Sequence, residues 1–327
     1  MGTIGIIANP ASGKDVRRLV ARASVFDNQE KQAIVRRVLV GLVAAGADEV
    51  AYLDDRHGIV RTALEDERAP LRSTAVAATE MANALDTISA ARALKDVGCD
   101  VVITLGGDGT NRAFALGWRD APLIPMSTGT NNVFPMLVEA TIAGAAAGLI
   151  ASGKISIDEV STQHKAIEVT IEGEREDLAL IDAVLSNERF VGARALLAPE
   201  QWQIALLTRA DPAAVGMTAV GGLLTPLGDQ DEHGLLLELG GEDSGDRVNA
   251  PIAPGYYREI AVRTNRLFNF GEEVTVQGPG VLAFDGERER VLKPGQHATF
   301  RLSRSGPVVV DVEKTLHLAA EKGCFTR

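Results

Sequence analysis

The sequence predicts an α/β first domain with a parallel sheet covered on both faces, followed by an all-β second domain of the sandwich type. Up to about residue 151, short β-branched runs alternate with stretches of helical periodicity, as in successive βα units. From about Ser152 the helical period gives way to short alternating runs punctuated by Gly, Pro and Asp. A chain of 327 residues is long for one core and suits two. The expected division is 1–151, 152–306, and a closing strand and helix over 307–327 that pack back on the first domain.

Thr3 to Ala8 predicts the first strand and Asn9 to Asp15 the loop after it. Asp27-Asn28-Gln29-Glu30 has capping-box spacing, and Ile34, Val35, Val38, Leu39, Leu42 and Val43 then repeat at helical spacing up to Gly46. Val50 to Leu53 predicts a strand, Arg56 to Glu67 a helix, Arg72 to Ala78 a strand and Asn83 to Val97 a helix. Val101 to Leu105 is the apolar strand around which the domain is organised. Leu123 to Met126 repeats the unit, with a helix expected from Val133 to about Ile150.

In the second half, strands are expected at Ala166 to Ile171, Leu178 to Leu185, Gln203 to Thr208, Leu235 to Leu239, Glu259 to Arg263, Val274 to Gln277, Val281 to Phe284 and Thr299 to Leu302. Val308 to Val310 and a helix from Lys314 to Lys322 close the chain.

Composition excludes several functions. The formal charge of −11 argues against a nucleic-acid surface or a polybasic membrane anchor. Cys99 and Cys324 are the two cysteines, and no His/Cys cluster has zinc spacing, so neither a disulfide framework nor a structural zinc is indicated. No apolar run reaches membrane-spanning length and no basic leader precedes the first strand, so the expected location is the cytoplasm.

The chemistry concentrates where strands hand over to helices. Gly106-Gly107-Asp108-Gly109-Thr110-Asn111 lets the backbone approach a ligand closely, and the helix start that follows offers unpaired N–H groups and partial positive charge to an anion. Asp108 would be repelled by phosphate unless it works with a cation or meets an acceptor hydroxyl, both kinase roles. A tight turn that tolerates Asp is the alternative. In the first loop Asn9 and Ser12 are candidate phosphate donors. Gly13-Lys14 tempts toward a Walker A loop, but Ala8 and Asp15 stand where that pattern needs Gly and Ser or Thr. Ser127-Thr128-Gly129-Thr130-Asn131-Asn132 is a second polar, glycine-centred loop, which could bind ribose or phosphate or simply cap a helix.

The run GGDGTN resembles the nucleotide loop of the NAD kinase and diacylglycerol/sphingosine kinase superfamily. Together with Gly5 to Asp15, the chain is most similar to its acetoin-catabolism protein X branch, the NAD-kinase-like proteins. That resemblance implies the NAD kinase-like fold, ATP and Mg2+, NAD as a possible substrate, and a homo-oligomer. It implies catalysis by Asp108 and nucleotide binding by Asn9, Ser12, Gly106, Gly107, Gly109, Thr110, Asn111, Thr128, Gly129, Thr130, Asn131 and Asn132.

Asn187-Glu188 resembles the Asn-Glu motif of NAD kinases, which holds ribose or base; a solvated strand end is the alternative. Gly216 to Gly222, with Thr218, stands where NAD kinases have a substrate segment, but without its tyrosine, and reads equally as a turn. Asp285-Gly286-Glu287 resembles the Asp-Gly-Glu motif of the lipid-kinase branch, making Asp285 and Glu287 possible phosphoryl-transfer carboxylates, and is also a type I′ hairpin signal. Arg288 and Arg290 could be phosphate ligands, or they suit the solvent face of that alternating strand. The five histidines match no nucleophile motif, Trp118 and Trp202 suit core positions, and no metal ligands can be named.

The expectation is therefore an ATP-dependent phosphotransferase acting on a hydroxyl of NAD or another small metabolite. A nucleotide-binding sensor or partner of a metabolic enzyme, without catalysis, is the alternative.

Overall fold

The computed structural model describes residues 2–13, 26–67, 70–76, 83–129, 131–188, 198–240 and 245–326. The first half alternates strands and helices: β1 (Thr3–Ala8), α1 (Asn28–Ala45), β2 (Glu49–Leu53), α2 (Ile59–Glu67), β3 (Arg72–Val76), α3 (Ala84–Val97), β4 (Cys99–Gly106), α4 (Asp108–Gly117), β5 (Pro122–Ser127) and α5 (Ala140–Ala151). The expected end of β3 at Ala77 and Ala78 lies outside the described residues.

A short helix α6 (Ile157–Val160) leads to β6 (Ser161–Gln163), β7 (Ala166–Ile171), β8 (Asp177–Ala179), β9 (Asp182–Ser186) and β10 (Trp202–Leu207). Then come α7 (Met217–Gly222), β11 (His233–Leu239), β12 (Asp246–Ala253), β13 (Tyr256–Asn269), β14 (Glu273–Gln277), β15 (Gly280–Phe284), β16 (Glu287–Leu292) and β17 (His297–Ser303). The chain closes with β18 (Val308–Val310) and α8 (Val312–Glu321).

The first sheet has the order β3-β2-β1-β4-β5-β18-β6, parallel except for the β18/β6 pair. The chain therefore runs outward from β1 to β2 and β3, then crosses to β4 on the other side of β1. The order in which strands are added reverses at β1/β4, and a crevice opens there beyond the carboxyl ends. The Asn9 and Gly107 turns leave those two strands.

Alternation along the strands sends Ile4, Ile6, Val101 and Ile103 to a core shared with α1, α5 and α8, and Ile7, Val102 and Leu123 to a core shared with α3 and α4. Gly41 and Gly144 let α1 and α5 approach closely. A methyl group at Gly144 would lie 2.2 Å from the Val38 carbonyl oxygen, and one at Gly41 2.1 Å from that of Thr141.

The second half is mostly antiparallel. A seven-stranded sheet, β12-β13-β11-β10-β9-β15-β16, faces a four-stranded one, β14-β17-β7-β8, across a core that includes Ile167, Leu206, Leu282 and Phe300. α7 covers the far face of the larger sheet, through Met217 and Val220.

Four expectations needed correction. The strand expected from Leu178 to Leu185 is two, β8 at the edge of the four-stranded sheet and β9 inside the seven-stranded one. The helix expected from Val133 begins only at Ala140. Met136 donates to Pro125 O and accepts from Ser127 N, so the chain runs beside β5 before Glu139 caps α5. The strand expected at Glu259 to Arg263 is part of a much longer one, β13, which pairs with the unforeseen β12. Met217 to Gly222 forms the helix α7 with Gly216 as its N-cap, so the reading of this segment as a turn does not hold.

Candidate functional site

Three turns meet at the carboxyl ends of β1, β4 and β5. The main chain joins them first: Asn9 N donates to Leu105 O, and Thr128 N to Gly106 O. Side chains then lace them together. Asn9 Nδ2 donates to Thr110 Oγ1 (2.8 Å), Thr128 Oγ1 to Ser12 Oγ (3.1 Å), and Ser12 Oγ to Asn9 O (2.8 Å). Asn132 Nδ2 donates to Ser127 Oγ (2.8 Å), closing the third turn on itself.

Gly107 is the N-cap of α4, and its own side carries no capping side chain. A methyl group there would sit 2.7 Å from Asn132 Oδ1, so glycine is what allows the two glycine loops to touch. The first turn of α4 thus borders the cradle with the partial positive charge of a helix start, while Thr110 N and Asn111 N donate to Gly107 O.

Asp108 bridges the same two loops. Its Oδ1 accepts from Val133 N (3.0 Å) and Phe134 N (2.7 Å), and its Oδ2 accepts from Val133 N (3.1 Å). Both carboxylate oxygens are thereby held against the segment that follows the third turn.

Glu287 reaches the cradle from β16, with its carboxylate 3.5 Å from where a methyl on Gly109 would lie. Asp285 is different. It adopts φ 52°, is buried, and accepts from Leu180 N, Ile181 N and Asp182 N, while Gly286 N donates to Asp182 Oδ1. Burial, reinforced by the Asp182 carboxylate, pushes its pKa up to about 8. A carboxyl group sealed from solvent and committed to three backbone amides is an anchor for the β15/β16 turn that presents Glu287. The hairpin reading of Asp285-Gly286 is the one the geometry favours.

Behind the cradle α4 is tied to the second half by Arg112, which is buried. Its Nε donates to Leu178 O (2.6 Å), its Nη2 to Asp177 Oδ1 (2.6 Å), and its guanidinium lies 4.9 Å from the centre of the Phe284 ring. Arg290 also reaches Asp177 at 3.2 Å, so this arginine of the hairpin makes a structural ion pair. Phe134, whose N–H is held by Asp108, packs against both the Arg209 guanidinium (5.9 Å) and the His164 ring (5.6 Å). Arg209 Nη2 donates to His164 Nδ1 (2.9 Å), so that nitrogen carries no proton. Burial, opposed by Asp229, lowers the His164 pKa to about 4.

The sequence-derived set divides accordingly. Asn9, Ser12, Gly107, Asp108, Gly109, Gly129, Asn131 and Asn132 come together with partly accessible surface, and Glu287 joins them. Gly106, Thr110, Asn111 and Thr128 are buried supports rather than contact groups: Asn111 accepts from Thr104 Oγ1 (2.7 Å) and donates to Gly107 O (2.9 Å). Thr130 lies outside the described residues.

Asn187 and Glu188 follow the far end of β9, about 16 Å along the strand from Asp182. Asn187 there accepts from Gln203 Nε2 and its N–H donates to Gln201 O. Thr218 is buried in α7, on the outer face of the larger sheet. Sequence reasoning missed Lys31, Arg112, Asp177, Asp182, His164 and Arg209, because each owes its place to contacts distant in sequence.

The profile of the ATP-NAD kinase N-terminal domain matches residues 4–155, and that of the acetoin catabolism protein X C-terminal domain matches residues 165–305. The chain is 37% identical over 312 residues to acetoin catabolism protein X of Cupriavidus necator, covering 91% of this chain and 87% of that one. Among solved structures, yeast NADH kinase complexed with NADH matches with a TM-score of 0.50 at 12% identity, over 100% of this chain and 88% of that one. A putative diacylglycerol kinase from Bacillus anthracis str. Sterne gives 0.49 at 12% identity, over 94% and 97%. At such identity the likeness to NADH kinase is one of fold.

Proposed function

The chain belongs to the acetoin catabolism protein X family of NAD-kinase-like proteins, and from that membership we propose that it is an ATP-dependent phosphotransferase acting on a hydroxyl of NAD or another small metabolite. The observation that carries this is the meeting of three turns, the first turn of α4 and the Glu287 carboxylate at the β1/β4 crevice. Glycine backbone and polar side chains there suit the phosphates of a nucleotide, with Asn9, Ser12, Gly107, Gly109, Gly129, Asn131 and Asn132 as the contacts. Asp108 orients the acceptor hydroxyl, and alignment with charge stabilisation does most of the remaining work.

Phosphate beside Asp108 and Glu287 calls for a cation. Among the described residues there is no group of three or more His, Cys, Asp or Glu able to hold a metal ion. Magnesium fits this site as part of the nucleotide substrate, because it is commonly held by one or two carboxylates and the phosphates themselves. Among the described residues no helix is long and apolar enough to cross a membrane, and the acceptor proposed is a small molecule rather than a lipid surface.

A second reading follows from one observation. Asp108 is engaged by two backbone N–H groups, so it serves the loops whether or not any chemistry occurs. A protein that binds nucleotide without turnover, as a sensor or a partner of a metabolic enzyme, would keep the same cradle.

Mass spectrometry of purified protein with ATP and magnesium separates the two. The acceptors offered are NAD, NADH and a pool of small hydroxylated metabolites, with Asp108→Asn as the control. A phosphorylated product that is lost in the folded variant supports the phosphotransferase and identifies its acceptor. Nucleotide binding with no phosphorylated product supports the sensor, and the phosphotransferase reading is then abandoned.

A further inference from the structure

Lys31 lies in the first turn of α1, fully buried, with its ammonium under the first turn of the cradle. Its Nζ donates to Asn9 O (2.8 Å), Ser12 O (2.7 Å) and Asn28 Oδ1 (3.2 Å). We infer that Lys31 is the positioning residue of a polyphosphate site: it fixes the Asn9 to Gly13 turn and sets positive charge beneath it, so that the turn binds the phosphates of a nucleotide. This rests on the nucleotide-binding reading above and deepens it, by assigning one loop and one side chain to the phosphate part of the ligand.

Three arguments support the inference. The first is geometric. In a trans peptide the C=O and the following N–H point in opposite directions. A Ser12 carbonyl held by the ammonium therefore turns the Gly13 N–H away from Lys31. Gly13 adopts φ +73°, and a methyl on it would lie 2.6 Å from Phe26 Cβ and 3.1 Å from the Thr128 carbonyl oxygen, so this end of the turn packs against the third turn of the cradle.

The second is electrostatic. A helix N-terminus already carries partial positive charge, and first turns ordinarily attract acidic residues, as Glu30 shows here. Placing a buried ammonium at that end adds charge of the same sign, and both contributions favour negative charge in the cradle.

The third is the lacing. Asn9 reaches Thr110 and Ser12 reaches Thr128, so whatever fixes the first turn also fixes the spacing of the other two. A single side chain holding Asn9 O and Ser12 O governs the shape of the whole cradle.

The test compares Lys31→Met, Lys31→Arg and wild type for binding of ADP and of adenosine by isothermal titration, with circular dichroism and thermal unfolding as the check on folding. The expected result is a loss of about tenfold or more in ADP affinity for Lys31→Met, with adenosine affinity changed less than about twofold and partial recovery in Lys31→Arg. A merely structural lysine would move ADP and adenosine together, and that outcome overturns the inference. So does a folded Lys31→Met protein that binds ADP as wild type does, which would leave the nucleotide-binding reading intact.

Wild-type protein that binds neither ligand would overturn that reading and the inference with it. If Lys31→Met does not fold, Asn28→Ala removes one of the three acceptors without deleting the charge. Weaker ADP binding with unchanged adenosine binding then supports the inference, and unchanged ADP binding overturns it.

Discussion

Replacing Asp108 by asparagine should do two separable things. In the native protein its carboxylate makes contacts of 2.7, 3.0 and 3.1 Å with two backbone N–H groups of the segment that follows the third turn. A hydrogen bond to a charged group contributes about 1.5–3 kcal/mol. Asparagine keeps one carbonyl oxygen for those amides but loses the charge, and its NH2 cannot accept where Oδ2 did. The expected cost is about 1–2 kcal/mol for Asp108→Asn, and about 2–4 kcal/mol for Asp108→Ala, which leaves the Val133 and Phe134 amides without that acceptor. Turnover should fall by about two to four orders of magnitude in Asp108→Asn. Urea unfolding followed by circular dichroism measures the first effect, and product formation at a temperature where both proteins are fully folded measures the second. An Asp108→Asn protein as stable as wild type would refute the bracing role. Unchanged turnover in the folded variant would remove Asp108 from the chemistry.

Arg112→Met should destabilise by about 2–4 kcal/mol, because it strips a buried carboxylate of its principal partner while Arg290 still reaches Asp177. Adding Asp177→Leu should recover part of that loss in the same urea assay, and a double variant no better than the single one would argue against the buried-charge explanation. His164 stays neutral in the fold, with its pKa lowered to about 4 by burial, but titrates near 6.5 when unfolded. Its contribution is therefore intact above about pH 6.5 and is lost as pH falls toward 4, by up to about 3 kcal/mol at roughly 1.4 kcal/mol per unit. Urea midpoints at pH 7, 6 and 5 should fall less steeply in His164→Gln than in wild type, and parallel curves would count against the assignment. Gly144→Ala should cost about 1–3 kcal/mol despite better helix propensity, since the new methyl would meet the Val38 carbonyl at 2.2 Å and α1 has to move. A variant as stable as wild type would show that the two helices separate freely.

Much of the first half was legible because its signals are local. Strand periods, caps and glycine turns depend on neighbours a few residues away, and Asp27 does cap α1 through Glu30 N as its spacing implies. Strand order is not local. The β1/β4 reversal that opens the crevice is fixed by which faces of five strands are covered, and no short motif reports it. The segment from Val133 to Glu139 misled for a related reason: its residues suit a helix, but Pro135 cannot donate, and contacts to Asp108 and β5 hold the chain out of a helix.

The candidate site was legible as a place more than as a set of contacts. A motif such as GGDGTN lists the residues that build a loop, without separating those that face a ligand from those that hold the loop's shape. Burial makes that separation: Asn111 and Thr128 spend their polar atoms on the protein, and Asn9 shares its side chain between Thr110 and the Ala11 N–H. Lys31 is the converse case, a supporting residue outside every motif. Its signal was nonetheless present in the sequence, because Lys31, Val35, Val38 and Leu42 fall on one helical face at spacings of four, three and four. A lysine on the apolar face of an otherwise amphipathic helix has to be buried with partners for its ammonium. The nearest turn able to supply them is the one that follows the first strand.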